Sequence, residues 1–247
     1  MTMLKYSFKT FIVNGLGADF LRICKVYHYC QRRQIKLYMD AEDDWQLVPS
    51  TPRTWRFFFE SLEMTSAPLP LVDNHLITLL EKEPISFEEL KQVAYELFQP
   101  NESFKFPCPI HPVVLHVRRG DKVSGSWKEG TFHELREYYE CLPQYTPSDV
   151  YVMTDSPQVY EEAKQKGFIV DDHEIRRDGF VKKHYDCPYD SMSLMDEAMT
   201  FFKNMSILKN ATHLVGSNAS FFYVLGQVLH GKQGISLSNN VSYYTFG

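Results

Sequence analysis

A chain of 247 residues is long enough for one large domain or two small α/β lobes around a cleft. Hydrophobic residues make up 44% of it, enough for a packed core, so disorder is not the default. The net charge of −5 takes weight from a general nucleic-acid binder, which carries a basic excess.

The five cysteines (Cys24, Cys30, Cys108, Cys141, Cys187) include no CxxC pair, hence no zinc or redox signature. Reduced thiols in a cytosol-like compartment are the simplest reading. Residues 1–9 hold no apolar signal core, and no run approaches the ~18 apolar residues of a membrane span. The expectation is a soluble cytoplasmic protein with no signal peptide, no membrane anchor and no integral membrane contact.

In chain order, Thr10–Val13 is short, β-branched and apolar, which suits a buried strand. Asn14-Gly15-Leu16-Gly17 then makes a glycine turn, read either as a tight strand-to-helix turn or as a ligand contact. Phe20, Leu21, Ile23, Cys24, Val26 and Tyr27 recur at helical spacing, and Ile35–Met39 reads as a second strand. Strand, turn, helix, strand opens a parallel α/β lobe. Trp55–Leu62 and Phe87–Leu97 read as helices. Pro107–Pro112 is a stiff extended connector and marks the lobe boundary, giving lobes of residues 1–110 and 111–247.

The second half alternates regularly. Val113–Val117, Val150–Met153 and His213–Val215 read as strands. Phe132–Cys141, Val159–Lys166, Leu194–Leu208 and Ser220–Leu229 read as helices, the third with Leu194, Ala198, Phe202, Met205 and Leu208 on one face. Repeated βα units imply a doubly wound parallel sheet, with ligands beyond the carboxyl ends of its strands.

Three segments sit at such ends. His116-Val117-Arg118-Arg119-Gly120-Asp121-Lys122 runs from a buried strand into two arginines, an aspartate and a lysine. Guanidinium forks bind a diphosphate bidentately and offset its charge. Thr154-Asp155-Ser156 follows the next strand, as a ligand contact or a helix N-cap. Gly216-Ser217-Asn218-Ala219-Ser220 opens a helix, as an anion site or as ordinary capping. Glu129, in the loop beyond the arginines, is a carboxylate able to act as general base. There is no Asp-X-Asp and no HxxxH pair, so no metal is expected. Without GxxxxGK[ST] or GxSxG, a P-loop ATPase and an ordinary α/β-hydrolase drop out.

These residues resemble a known family. His116–Val123, Glu129-Gly-Thr-Phe-His133 and Tyr138 resemble the core α1,6-fucosyltransferases of N-glycans and their bacterial nodulation relatives. Val150–Asp155 with Pro157 and Glu162–Lys164 resembles that family's second block, and Leu214–Ser220 its third. The tail Val241–Gly247 is similar to a segment near the end of the catalytic domain.

The resemblance implies a GT-B-like fold of two Rossmann-like lobes, the first on the acceptor side, the second binding the nucleotide sugar. It implies GDP-fucose as donor, an oligosaccharide acceptor, inversion at the anomeric carbon, no metal and no cofactor beyond the donor itself. Arg118 would hold the β-phosphate, with His116, Arg119 and Asp121 in the same cluster. Glu129 would be the base, assisted by Lys122. Tyr138, Asp155, Ser217 and Ser220 would contact the donor. Asn204 stands where the family places an aspartate that reads guanine, and Ser156 where a second Asp is usual. Asn204 motivates an alternative with the same fold and another nucleotide sugar, UDP- or GDP-linked. A further alternative is a non-catalytic glycan- or nucleotide-binding module.

Overall fold

The computed structural model describes residues 2–7, 16–41, 58–107, 110–119, 132–172 and 191–237. The described residues fall into two compact units, 2–105 with 191–199, and 106–172 with 200–237.

The first unit holds β1 (Met3–Tyr6), α1 (Leu16–Arg32), β2 (Lys36–Asp40), β3 (Met64–Thr65), α2 (Asn74–Lys82) and α3 (Phe87–Leu97). Its strands are parallel in the order β1-β2-β3. Leu37 and Met39 alternate inward along β2, while α1 buries Phe20, Leu21, Ile23, Cys24 and Val26. Asp73 caps α2 by accepting from the Leu76 amide at 2.7 Å. Ser86 and Glu89 form a reciprocal capping box that starts α3. α1 packs on both helices. At that contact the buried Lys25 donates to the carbonyls of Leu80 (3.1 Å) and Glu83 (3.2 Å), satisfying the open end of α2.

The expected helix Trp55–Leu62 is described only from Phe58, and Phe59 already bridges Pro100. The strand expected at Thr10–Val13 lies outside the described residues. The first described strand, β1, comes earlier, in a segment whose lysine and exposed methionine gave no alternating signal.

The second unit holds β4 (Val113–Val117), α4 (Leu135–Glu140), β5 (Val150–Thr154) and α5 (Pro157–Gln165). The end of α6 (Ser191–Asn210), β6 (His213–Gly216), α7 (Phe221–His230) and β7 (Ile235–Ser236) complete it. All strands are parallel, in the order β5-β4-β6-β7. Every residue of β4 and β5 is buried, as expected of strands covered on both faces. Val113, Leu115 and Val117 pack with Leu135, Tyr138, Val159 and Ala163 of α4 and α5. His116, of opposite parity, meets Phe222 and Tyr223 of α7 on the other face. This unit is therefore a doubly wound α/β sheet.

The helix expected from Phe132 starts only at Leu135. Phe132 and His133 are extended toward Arg119 instead. Among the described residues Cys24, Cys30 and Cys141 are free thiols, and no helix is long and apolar enough to cross a membrane.

Candidate functional site

The pairing of Val117 with Thr154 sets the carboxyl ends of β4 and β5 side by side. The Thr154 hydroxyl reinforces the junction, donating to the Val117 carbonyl at 2.8 Å and accepting from the Ser156 amide at 3.2 Å. Ser156 accepts from the Val159 amide, and Pro157 opens α5 behind it. With capping left to Ser156, the Asp155 carboxylate faces the next strand end. One oxygen accepts from the Arg118 guanidinium and the other from the Arg119 backbone N–H at 2.8 Å. The Arg118 and Asp155 side chains stay 33% and 27% exposed, so this cation remains at the surface.

Arg119 points the other way and is 9% exposed. Its guanidinium lies over the Phe132 ring at 4.2 Å and donates to the His133 carbonyl. Nη1 is buried and has no partner among the described residues. Tyr138 is itself buried, and burial raises its phenol pKa against the opposing pull of Arg119. His133 is fixed in turn by Glu137, with Nδ1 at 3.0 Å from its carboxylate. Glu137 also accepts from the Glu134 amide, closing the N-terminus of α4. The hydrogen bond from His133, helped by that amide, holds the Glu137 carboxyl below its ordinary range.

His116 stacks on Phe222 (5.3 Å between ring centres) and Tyr223 (5.8 Å). Burial first, and the Arg118 charge second, push its pKa down to about 3, so the ring is neutral at physiological pH. The turn after β6 lies at the same sheet edge, since β6 pairs β4 directly. There the Ser217 hydroxyl accepts from the Ala219 amide and its carbonyl from the Ser220 amide. Ser220 is the N-cap of α7, yet its side chain makes no capping bond. Asn204 is buried on α6, one turn beyond Phe201, whose ring meets Phe222 at 5.7 Å.

Arg118, Arg119 and Asp155 thus form one bonded cluster, Tyr138 is buried against His133 beside it, and His116, Ser217 and Ser220 occupy the same edge of the sheet. Asp121, Lys122 and Glu129 lie outside the described residues. Phe132, His133 and Glu137 join the cluster without having been assigned a role from sequence. The signal for Glu137 was there, four residues after His133 and three after Glu134, but side-chain pairs at those spacings are common on any helix. Phe222 carried no signal beyond helix periodicity. Among the described residues no group of three or more His, Cys, Asp or Glu is arranged to hold a metal ion.

No family model and no curated protein matches the sequence. Solved structures do match the fold. NodZ alpha-1,6-fucosyltransferase soaked with GDP-fucose is similar with a TM-score of 0.54 at 12% identity, over 92% of this chain and 92% of that one. The same enzyme co-crystallized with GDP gives the same values. POFUT1 in complex with GDP is similar with a TM-score of 0.50 at 11% identity, over 95% and 96% of the two chains. The chain has the α/β, GT-B-like fold of these glycosyltransferases, along nearly its whole length.

Proposed function

We propose that this chain is a glycosyltransferase that transfers L-fucose from GDP-fucose to a hydroxyl of a glycan acceptor, with inversion. The unit of residues 106–172 with 200–237 is the donor lobe, and the unit of residues 2–105 with 191–199 is the acceptor side. The observation that carries this reading is the Arg118–Asp155–Arg119 cluster at the carboxyl ends of two parallel strands, in a fold shared with a fucosyltransferase soaked with GDP-fucose. In such sheets ligands gather at that edge.

In the reaction, Glu129 takes the proton of the acceptor hydroxyl, assisted by Lys122. The oxygen attacks C1 of the fucose in line, the bond from C1 to the β-phosphate oxygen breaks, and GDP departs. Arg118 meets the charge that grows on the leaving diphosphate, where a preorganised cation acts most strongly. The α7 N-terminus, with Ser217 and Ser220, supplies amides and hydroxyls for the same anion. These groups take the part a divalent ion would play, and the donor is the only co-substrate. His116, neutral and stacked, shapes the pocket without adding charge.

One observation favours a second reading, another nucleotide sugar in the same fold. Asn204 is buried and stands where the resembled family has an aspartate that accepts from both N1–H and N2–H of guanine, which an amide oxygen beside its own NH₂ does less well. Incubating the protein with radiolabelled GDP-fucose, and in parallel with UDP-sugars, against a panel of oligosaccharides decides between them. Transfer from GDP-fucose supports the first reading. Transfer from a UDP-sugar alone defeats it in favour of the second.

A further inference from the structure

We infer that Arg119 is a positioning residue that staples the end of β4 to the residues leading into α4, while its neighbour Arg118 is the guanidinium turned toward ligand. The inference rests on the donor-site reading above and deepens it by dividing the two arginines by role.

The two side chains differ in exposure and in partners. The Arg118 side chain is one-third exposed and pairs with the carboxylate of Asp155 at the open edge. Arg119 is 9% exposed, and its Nη1 is buried, so a phosphate oxygen reaches that nitrogen only by displacing its neighbours. The rest of the guanidinium faces the residues that lead into α4. One face covers Phe132, and Nη2 donates to the His133 carbonyl.

Phe132 and His133 lie thirteen and fourteen residues on from Arg119, so the contact joins the end of β4 to the start of the α4 segment. Asp155 fixes the near end through the Arg119 amide, at 2.8 Å. Glu137 fixes the far end by holding His133 from the first turn of α4. Phe132 is 52% exposed, so an apolar driving force does not hold it there, and the cation over its ring does. Burying a guanidinium with one nitrogen unpaired is costly, and a neutral residue would be cheaper were stability the only demand. A fixed distance between strand end and α4 explains the cost.

Two variants test this, with Arg118→Met as the contrast. In Arg119→Met the apolar contact survives but the bond to the His133 carbonyl goes. Phe132→Ala removes the stack at an exposed position where folding is not at stake. Calorimetry should give GDP affinities within about threefold of the parent for both. kcat should fall about 100-fold in Arg119→Met, in line with a misplacement of about an ångström, and less in Phe132→Ala. Hydrogen exchange at amides 132–135 should quicken in both. Arg118→Met should do the reverse, losing GDP affinity with exchange unchanged.

A tenfold or greater loss of GDP affinity in Arg119→Met with unaltered exchange would make Arg119 a ligand contact and overturn the inference. So would unaltered exchange in both variants. If the parent protein binds no GDP but exchange still quickens in both variants, the staple stands and the GDP-fucose reading falls.

Discussion

Arg118 and Asp155, thirty-seven residues apart, meet where β4 and β5 end, and the same carboxylate also holds the backbone of Arg119. One acid thereby orders two consecutive arginines, through a side chain in one and through an amide in the other. The pairing of Val117 with Thr154 makes this possible, because it brings the two strands to the same height. The surface half of the arrangement contributes little to stability, since both side chains remain about a third exposed and screened by solvent. Its value is orientation.

Removing Arg118 should therefore damage the reaction and spare the fold. Arg118→Ala is expected to lower kcat by about 10²–10³-fold, the size of effect seen when one preorganised donor to a developing anion is lost. Its melting temperature and circular dichroism should stay close to the parent's. Near-normal turnover in this variant would remove the diphosphate from this edge of the sheet.

The nucleotide base is tested separately from the chemistry. Thermal shift with GDP, UDP and their sugars should show greater stabilisation by GDP. Asn204→Asp should widen the margin between GDP and UDP, because a carboxylate accepts from both N–H groups of guanine while an amide does not. If UDP stabilises the parent more than GDP, and Asn204→Asp leaves that order unchanged, Asn204 is not reading guanine.

Much of the second unit was legible in sequence. Val113–Val117 is an unbroken apolar run at strand length, and its bounds in the structure agree with the expectation. In the first unit, Phe87–Leu97 carries its own start signal in Ser86 and Glu89. The site was legible as a set of strand ends, since a charged cluster following a buried run has few places to go in a parallel sheet. Two features stayed hidden for physical reasons. Phe132 and His133 have helical neighbours in sequence, yet a tertiary contact with Arg119 keeps them out of the helix. The opposite orientations of Arg118 and Arg119 depend on which partner each finds from a distant segment, and no local spacing encodes that.

His116 gives a pH signature. Its pKa lies near 3 when folded and near the ordinary 6.5 when unfolded, so between these values the unfolded chain holds the extra proton. Stability then rises with pH across that window, is complete above the unfolded value and is lost as pH falls toward the folded one. His111 and His230, both lowered by burial, act in the same direction. In His116→Phe the ring stack on Phe222 and Tyr223 is kept and the titration removed. Chemical denaturation between pH 4 and 6 should show a slope smaller than the parent's by up to about one proton. An unchanged slope would mean that His116 is not buried as a neutral ring.

Gly216 tests the packing beneath the site. It ends β6, and a Cβ added there would stand 2.5 Å from Cδ2 and Cε2 of Tyr223 and 2.8 Å from Cγ. Tyr223 cannot step aside, because it is fully buried and its hydroxyl donates to the Ile235 carbonyl at 2.9 Å, tying α7 to β7. A rigid ring held at both ends must shift as a unit, and His116 is stacked on it. Gly216→Ala should thus cost about 2 kcal/mol, as overpacking of a filled core does. At this chain length that lowers Tm by about 4–8 °C. The damage should reach the site as well, since the Ser217 turn begins at the next residue. Nucleotide-dependent thermal shift should shrink in Gly216→Ala, while in Gly226→Ala, where the close neighbour is the flexible end of Leu208, it should persist. Equal loss in both variants would show that the Tyr223 contact has no special hold on the strand end.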